Sequence, residues 1–354
     1  MIGFMQDGID PRDPGLFLHD VDPRLGRGGF LRTDRASLSA EPFLDHRWRP
    51  PEAFDAALPL AGLPPADGAP PRINFIWHSS FCASTLLATC LDSPGLCLAL
   101  KEPRVLVILA AMKRNGRWDG DLAKAVFGLL GRRFEPGEQI LVKPSDSANT
   151  LIAEAAALTQ GRMLLLHSDC ESFVLSVARR GRTGFAHVRD RFRSLAADGH
   201  PAGAWPAAEL LRLTDLELAA LVWRMQMDAL ETASARLGER ARSLDFRQLL
   251  EEPDLVLPEI DDFFGLGLGR ARLETVAGGP LFQRDAKQSG QAFDAQARGE
   301  ERARLRAQLG ADLPAVLNAM ERVFPRPPKL APSLMTGAPV RGQSSGPAVS
   351  APAA

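Results

Sequence analysis

Ten residues, His78-Ser79-Ser80-Phe81-Cys82-Ala83-Ser84-Thr85-Leu86-Leu87, carry the chemistry that is easiest to read in this chain. Small and hydroxylated side chains stand between an apolar run and a helical pattern that begins near Ser84. Such a turn lets backbone N–H groups converge, and the unpaired donors and dipole of the helix start favour a phosphate- or sulfate-like anion. Ser79, Ser80, Cys82 and Ala83 form the cradle, and the hydroxyls of Ser84 and Thr85 add two donors. The competing reading is a serine-rich cap on a core helix. No GxxxxGK[ST] occurs, which disfavours a Walker-type nucleotidase with its phosphate-binding lysine and magnesium-binding hydroxyl. His78, at the end of the strand, is a candidate acid–base group. A hydrogen-bonded core residue is the favoured reading, because titration needs an accessible ring.

The elements that position this turn follow from short apolar runs alternating with helical patterns. Ile73 to Trp77, Leu96 to Leu100, Gln139 to Val142, Met163 to His167 and Arg242 to Phe246 read as strands, each followed by a helix. This alternation predicts an α/β fold, a parallel sheet flanked by helices, with ligands at the carboxyl ends of the strands. Ala207 to Leu237 and Ala297 to Val323 read as helical, and Pro253 opens a helix over 253–264, so the C-terminal half is mainly helical. Residues 1–70, rich in Pro, Gly, Asp and Arg without periodicity, read as an irregular extension ahead of a 71–324 domain. Residues 325–354 read as a disordered tail, because their low-complexity composition buries too little apolar area to offset the entropy of ordering.

The 354 residues have a formal net charge of -1, which gives no global attraction to nucleic acid or anionic membrane, so an anion site must be local. Cys82, Cys90, Cys97 and Cys170 lack paired CxxC spacing, which argues against a zinc site or disulfide framework and for reduced, cytoplasmic thiols. The start of the chain lacks the basic and apolar regions of an export signal, and the run Val105 to Met112 is too short to span a bilayer. Neither export nor membrane insertion is expected, and no metal.

With these elements placed, the chain resembles the sulfotransferase superfamily, particularly bacterial members whose first strand runs into a turn of the form His-Thr-Ser-Arg-Cys-Gly-Ser-Thr-Leu-Leu. Asp92-Ser93-Pro94-Gly95 and Leu100-Lys101-Glu102-Pro103 look like the segment leading to that family's Lys/Ser-Glu-Pro element. Leu141-Val142-Lys143-Pro144, with Asn149 after it, looks like its strand-to-Lys-Pro element. The stretch from Ser243 through Arg247 and Pro253 to Asp262-Phe263-Phe264-Gly265-Leu266 resembles its Arg-Tyr-Glu-Asp-Leu…Pro…Phe-Leu-Gly-Leu stretch.

The resemblance implies sulfuryl transfer from 3′-phosphoadenosine-5′-phosphosulfate (PAPS) to a hydroxyl or amine of a small-molecule or glycan-like acceptor, leaving the adenosine 3′,5′-bisphosphate. The turn at 79–85 would hold the 5′-phosphosulfate. Most relatives carry Lys or Arg where this chain has Phe81, and glycine where it has Ala83, so another cation is needed. Lys101, Lys143 and Lys287 are candidates, near strand ends or in a late loop of a chain that otherwise uses arginine, against the plainer reading of solvated lysines. Lys143 is preferred on the resemblance. Glu102 is the general base by resemblance, and as a carboxylate that Lys101 would keep ionised. The family's Arg-x7-Ser grip on the 3′-phosphate falls on Ser168 to Ser176, with Ser168 in place of the arginine and Glu171 adding a negative charge. Arg179, Arg180 and Arg182 stand a helical turn further on, able to reach a phosphate or to end a solvated helix. The loop 283–290, holding Lys287 and followed by Phe293 and Arg298, resembles the segment that closes over the nucleotide. Trp205 and Trp223 read as packing residues. The acceptor falls to loops such as 114–122 and 183–206. The alternative function is a divergent, non-catalytic member that binds another phosphorylated ligand or a protein partner, with a kinase-like enzyme ranked last.

Overall fold

The computed structural model describes residues 10–49, 54–63, 69–283 and 295–335. Five parallel strands form the main sheet: β4 (Ile73–His78), β5 (Cys97–Lys101), β6 (Gln139–Lys143), β7 (Met163–His167) and β8 (Ala241–Asp245), in the order β5-β6-β4-β7-β8. Each matches an expected strand to within a residue at either end. All six residues of β4 are buried, as a strand covered by helices on both faces requires. The chain leaves β4 for β5 and β6 on one side, then crosses to β7 and β8 on the other. β4 therefore flanks the point where the winding reverses, and the crevice at its carboxyl end is the expected ligand position.

Residues 10–49 and 54–63 depart from the irregular extension expected for them. They form a second, antiparallel sheet of β1 (Leu16–Asp22), β2 (Arg27–Arg32) and β3 (Ala56–Pro59), followed closely in sequence by β4. A register shift between Leu18 and Asp20 and the paired glycines Gly28 and Gly29 erase the alternation that would announce strands. Leu16, Phe17 and Phe30 join Phe75, Trp77 and Val105 in one apolar cluster, so this sheet shares the core of the main domain. Helix α1 (Arg35–Ala40) leads to residues 44–47, where Leu44 N–H donates to Lys101 O at 2.7 Å and Arg104 N–H to Leu44 O at 3.0 Å.

The helices that cover the sheet are α2 (Ser84–Leu91), α3 (Arg104–Arg114), α4 (Gly120–Leu130), α5 (Ile152–Leu158), α6 (Cys170–Arg179), α7 (Gly181–Ala197), α8 (Ala207–Leu210), α9 (Asp215–Leu237), α10 (Phe246–Glu251), α11 (Pro253–Phe264), α12 (Arg270–Ala277), α13 (Ala295–Leu309) and α14 (Asp312–Val323). The helix opened by Pro253 has the expected bounds. The stretch 207–237 is two helices, because Thr214 and Glu217 form a reciprocal cap that starts α9 afresh. The stretch 297–323 is broken at Gly310, whose φ of +47° ends α13.

Part of the expected disordered tail is structured. Ser333 pairs in parallel with Ser243, and Ser243 N–H donates to Pro332 O at 2.9 Å. The segment covers the open edge of β8, whose backbone groups would otherwise lack partners. Residues 336–354 lie outside the described residues. The four cysteines form no disulfide, and burial pushes the Cys90 thiol up to about 12. No described helix is long and apolar enough to cross a membrane.

Candidate functional site

Four non-glycine residues among those described have positive φ: Ser80 (+61°), Phe81 (+52°), Ala83 (+60°) and Glu102 (+55°). All four line one cavity of about 440 Å³ at the carboxyl ends of β4, β5 and β6. Each costs on the order of 1–2 kcal/mol relative to ordinary backbone, and such strain persists where the surrounding structure enforces a functional geometry.

The turn is built from β4 outward. Ser79 N–H donates to Leu166 O at 3.1 Å, and Ser79 Oγ accepts from Ser168 N–H at 3.2 Å, tying the start of the turn to β7. His78 is buried with both ring nitrogens engaged. Nε2 lies 3.0 Å from Pro144 O, which can only accept, so Nε2 carries the proton and Nδ1 accepts from Ser80 N–H at 3.2 Å. Burial, then Lys143, pushes its pKa down to about 3. His78 is thus a neutral brace for the turn, as the core reading expected, and it does no acid–base work near neutral pH. Ser80 Oγ meets the Asp146 carboxylate and lies 2.8 Å from Gln226 Oε1, and buried Cys82 is 3.6 Å from Leu166 O through its sulfur.

From Ala83 the chain enters α2 with no side chain capping the helix start. The first-turn N–H groups of such a helix have no intrahelical acceptors, and successive left-handed residues ahead of it turn further N–H groups inward as an anion nest. Ser84 lines the cavity. Thr85 is buried, and its hydroxyl has no partner in the protein. A serine-rich structural cap would itself accept from the first-turn N–H groups, which no side chain does here.

The charges around the turn come largely from residues the sequence did not single out. Lys143 Nζ and Arg47 both contact the Glu102 carboxylate, and Arg47 also donates to Asp45 at 2.6 Å while stacking on the Phe43 ring at 3.4 Å. Burial works to raise the Glu102 pKa, but Lys143 and Arg47 outweigh it and hold it below the usual carboxylate value. Asp146 is buried too, and Arg191 and His187 hold it well below the usual value against the same burial penalty. His187 Nε2 lies 3.1 Å from Asp146 Oδ2, and its half-exposed ring faces the cavity. Arg47, Arg104, Lys143 and Arg191 stand with Asp45, Glu102 and Asp146 around the cavity, and Arg104 and Arg191 are also paired outside its lining, with Asp20 at 3.2 Å and Asp190 at 2.7 Å.

The remaining expected residues fall into three places. Lys101 shares a register with Lys143 but donates from Nζ to Ser39 O at 2.6 Å, away from the cavity. It is not the replacement cation. Ser168 stands between β7 and α6, Ser176 lies within α6, and Arg180 caps its far end. Ser168 Oγ is buried without a partner, Arg180 Nη1 donates to Ser176 O at 2.8 Å, and the Arg180 guanidinium lies 4.3 Å over the Phe81 ring. The aromatic ring that replaced a cation thus holds one beside the turn. Glu171, a negative charge feared at a phosphate, contacts Arg306 and lies 3.6 Å from Arg302, both on α13. Lys287 lies outside the described residues. Arg47 and His187 were missed because their neighbours carry no motif. Only the fold brings residues 47, 187 and 191 to the end of β4.

Solved structures similar to this chain include three sulfotransferases. The sulfotransferase domain from the curacin biosynthetic pathway is 16% identical, with a TM-score of 0.43 over 68% of this chain and 98% of that one. The sulfotransferase domain of the Synechococcus PCC 7002 olefin synthase is 16% identical, with a TM-score of 0.42 over 75% and 98%. A sulfotransferase from Alicyclobacillus acidocaldarius is 14% identical, with a TM-score of 0.39 over 73% and 98%. These carry the family name that the sequence motifs resemble. Likeness at that level carries no residue's role across. No family model matches the chain, and no curated protein matches it.

Proposed function

We propose that this cavity binds the phosphosulfate end of PAPS and that the protein transfers the sulfuryl group to an acceptor hydroxyl or amine. The observation that carries this reading is the strained, uncapped turn at 80–85, with a buried, partnerless hydroxyl on Thr85, and with Arg47, Lys143 and Arg191 lining the same cavity as the turn. Ser168 and Ser176, with Arg180 beside them, are the candidates for the 3′-phosphate, and the engagement of Glu171 by α13 removes the repulsion the sequence foresaw there.

In-line transfer needs charge stabilisation at the bridging oxygen and a base for the acceptor proton. Lys143 and Arg47 supply positive charge, moderated by Glu102. Glu102 is a poor base, because two cations stabilise its ionised form. His187 is better suited: its half-exposed ring lines the cavity, and Asp146 Oδ2, 3.1 Å from Nε2 without hydrogen-bond geometry, offers a negative charge to the ring once it has taken a proton. Glu102 then positions Lys143 rather than acting on the acceptor.

The reading is tested by incubating the protein with labelled PAPS and a broad panel of alcohols, phenols and amines. Label in an acceptor, lost in His187→Gln, supports it; absence of transfer together with absence of bisphosphate binding removes it. A second reading, binding without transfer, is favoured by one feature: Lys143 is tied to Glu102 rather than free. Bisphosphate binding without transfer to any acceptor would select it.

A further inference from the structure

Phe81 stands where the sulfotransferase turns that this one resembles hold a lysine or arginine, and it is only half-buried, in a cavity lined mainly by polar side chains. Such a ring cannot donate a hydrogen bond to an anion. Its φ of +52°, between Ser80 at +61° and Ala83 at +60°, fixes where the ring leaves the turn.

The ring meets three side chains of one helical hairpin. Phe173 on α6 lies 5.5 Å away between centroids, and His187 on α7 lies 4.9 Å away with the two rings inclined at 57°. The Arg180 guanidinium, at the junction of the two helices, lies 4.3 Å over the ring. That junction is tight. Gly181 turns the chain at a φ of +53°, and a Cβ on Gly184 would stand 2.3 Å from Val177 O, so α6 and α7 touch backbone to backbone and keep a fixed angle. Phe173, Val177 and Val188 share one apolar cluster, against which Phe81 packs. A displacement of Phe81 is therefore passed to His187 and Arg180 together rather than absorbed between the helices. Ser80, the residue before, reaches the same histidine by a second route: its Oγ meets the Asp146 carboxylate, and Asp146 Oδ2 lies 3.1 Å from His187 Nε2.

We infer that Phe81 is a positioning residue: with the turn occupied, its ring sets His187 for the acceptor proton and Arg180 for the nucleotide, so that the α6–α7 hairpin responds to occupancy of the turn through this one side chain. The inference rests on the sulfuryl-transfer reading of the cavity. A cation at this position would act on the anion directly, whereas the aromatic ring acts through the two groups it holds. Loss of the ring leaves His187 to Asp146 alone and removes the π face on which Arg180 rests.

The test follows the six histidine rings of the full chain by NMR with isotope-labelled Cε1, His187 being assigned from the spectrum of His187→Gln. Adenosine 3′,5′-bisphosphate is titrated at one fixed pH, and its affinity is read by calorimetry. The expected result is that bisphosphate moves the His187 resonance of the wild type and of Phe81→Tyr, saturating with the calorimetric affinity. In Phe81→Leu and Phe81→Met, which keep an apolar body against Phe173, the resonance starts from a different position and no longer moves, and the affinity falls about threefold. A His187 resonance that bisphosphate leaves unmoved in the wild type would overturn the inference. So would a response that persists in the Leu and Met variants, an affinity they leave unchanged, or a failure of Phe81→Tyr to restore both. Variants that only melt lower, with the wild-type resonance and affinity, make Phe81 a packing residue and overturn it too. Absence of bisphosphate binding by the wild type removes the sulfuryl-transfer reading and this inference with it, whereas binding to which His187 is indifferent removes the inference alone.

Discussion

At the scale of single residues, two histidines near one turn have opposite fates because of what surrounds them. His187 keeps a half-exposed ring against the Asp146 carboxylate, the arrangement of a general base. His187→Gln is expected to lower kcat by about 10²-fold with bisphosphate affinity unchanged, measured by single-turnover transfer and calorimetry. Equal rates in the variant would remove His187 from the chemistry. His78 is enclosed and neutral, its pKa pushed down from 6.5 to about 3. The unfolded chain takes up a proton at this ring below its ordinary pKa, and the folded protein only near the lowered one. Stability is therefore full above about pH 6.5 and is lost as pH falls through that window, by about 1.4 kcal/mol per unit. Urea denaturation between about pH 6 and pH 4.5 should show this slope, shallower by about one proton in His78→Gln. An unchanged slope would mean that the ring is not held neutral. The lowered carboxylates of Glu102 and Asp146 act in the same direction at lower pH, since their stabilisation is present above the ordinary carboxylate values and lost as pH falls through the lowered ones.

Among the elements, β4, β5, β6 and β7 are legible in the sequence as short, largely buried apolar runs, while β8, Ala-Arg-Ser-Leu-Asp with Arg242 and Asp245 only half-buried, is legible from the alternation of strands and helices. The turn after β4 is legible from its small and hydroxylated residues. It has no cation at Phe81, and the arginines near it come from elements far away in the chain: Arg47 before the main domain, Arg191 on α7 and Arg180 over the ring itself. No local pattern marks those arginines, since their role depends on where helices land. Close packing also escapes a sequence reading at Gly161, just before β7, where a Cβ would lie 1.6 Å from the Ile73 carbonyl oxygen in β4. Gly161→Ala should destabilise the protein by about 3 kcal/mol through forced separation of β4 and β7, measured by denaturant melts. A change within about 0.5 kcal/mol would show that the two strands approach less closely.

On the scale of the whole molecule, the antiparallel sheet of residues 10–49 and 54–63 is part of the core and part of the site. It buries Phe17 and Phe30 against the main domain, and the segment after α1 brings Arg47 to Glu102. Arg35 anchors the same segment through Asp92 at 3.0 Å and Glu138 at 2.8 Å. A chain lacking residues 1–63 should lose its cooperative thermal transition, because Phe75, Trp77 and Val105 would lose their cover; a cooperative transition like that of the full chain would show that the sheet is dispensable.

The central claim is that the turn at 80–85 holds the anionic end of a nucleotide. It is tested most directly by calorimetric titration of adenosine 3′,5′-bisphosphate into the wild type and Thr85→Val. Because the Thr85 hydroxyl is buried and without a protein partner, valine should leave the melting temperature unchanged or raise it. The account predicts saturable heat with the wild type and an affinity about tenfold weaker in the variant. A wild-type protein that binds no bisphosphate, or a variant that binds it equally well, would contradict the account.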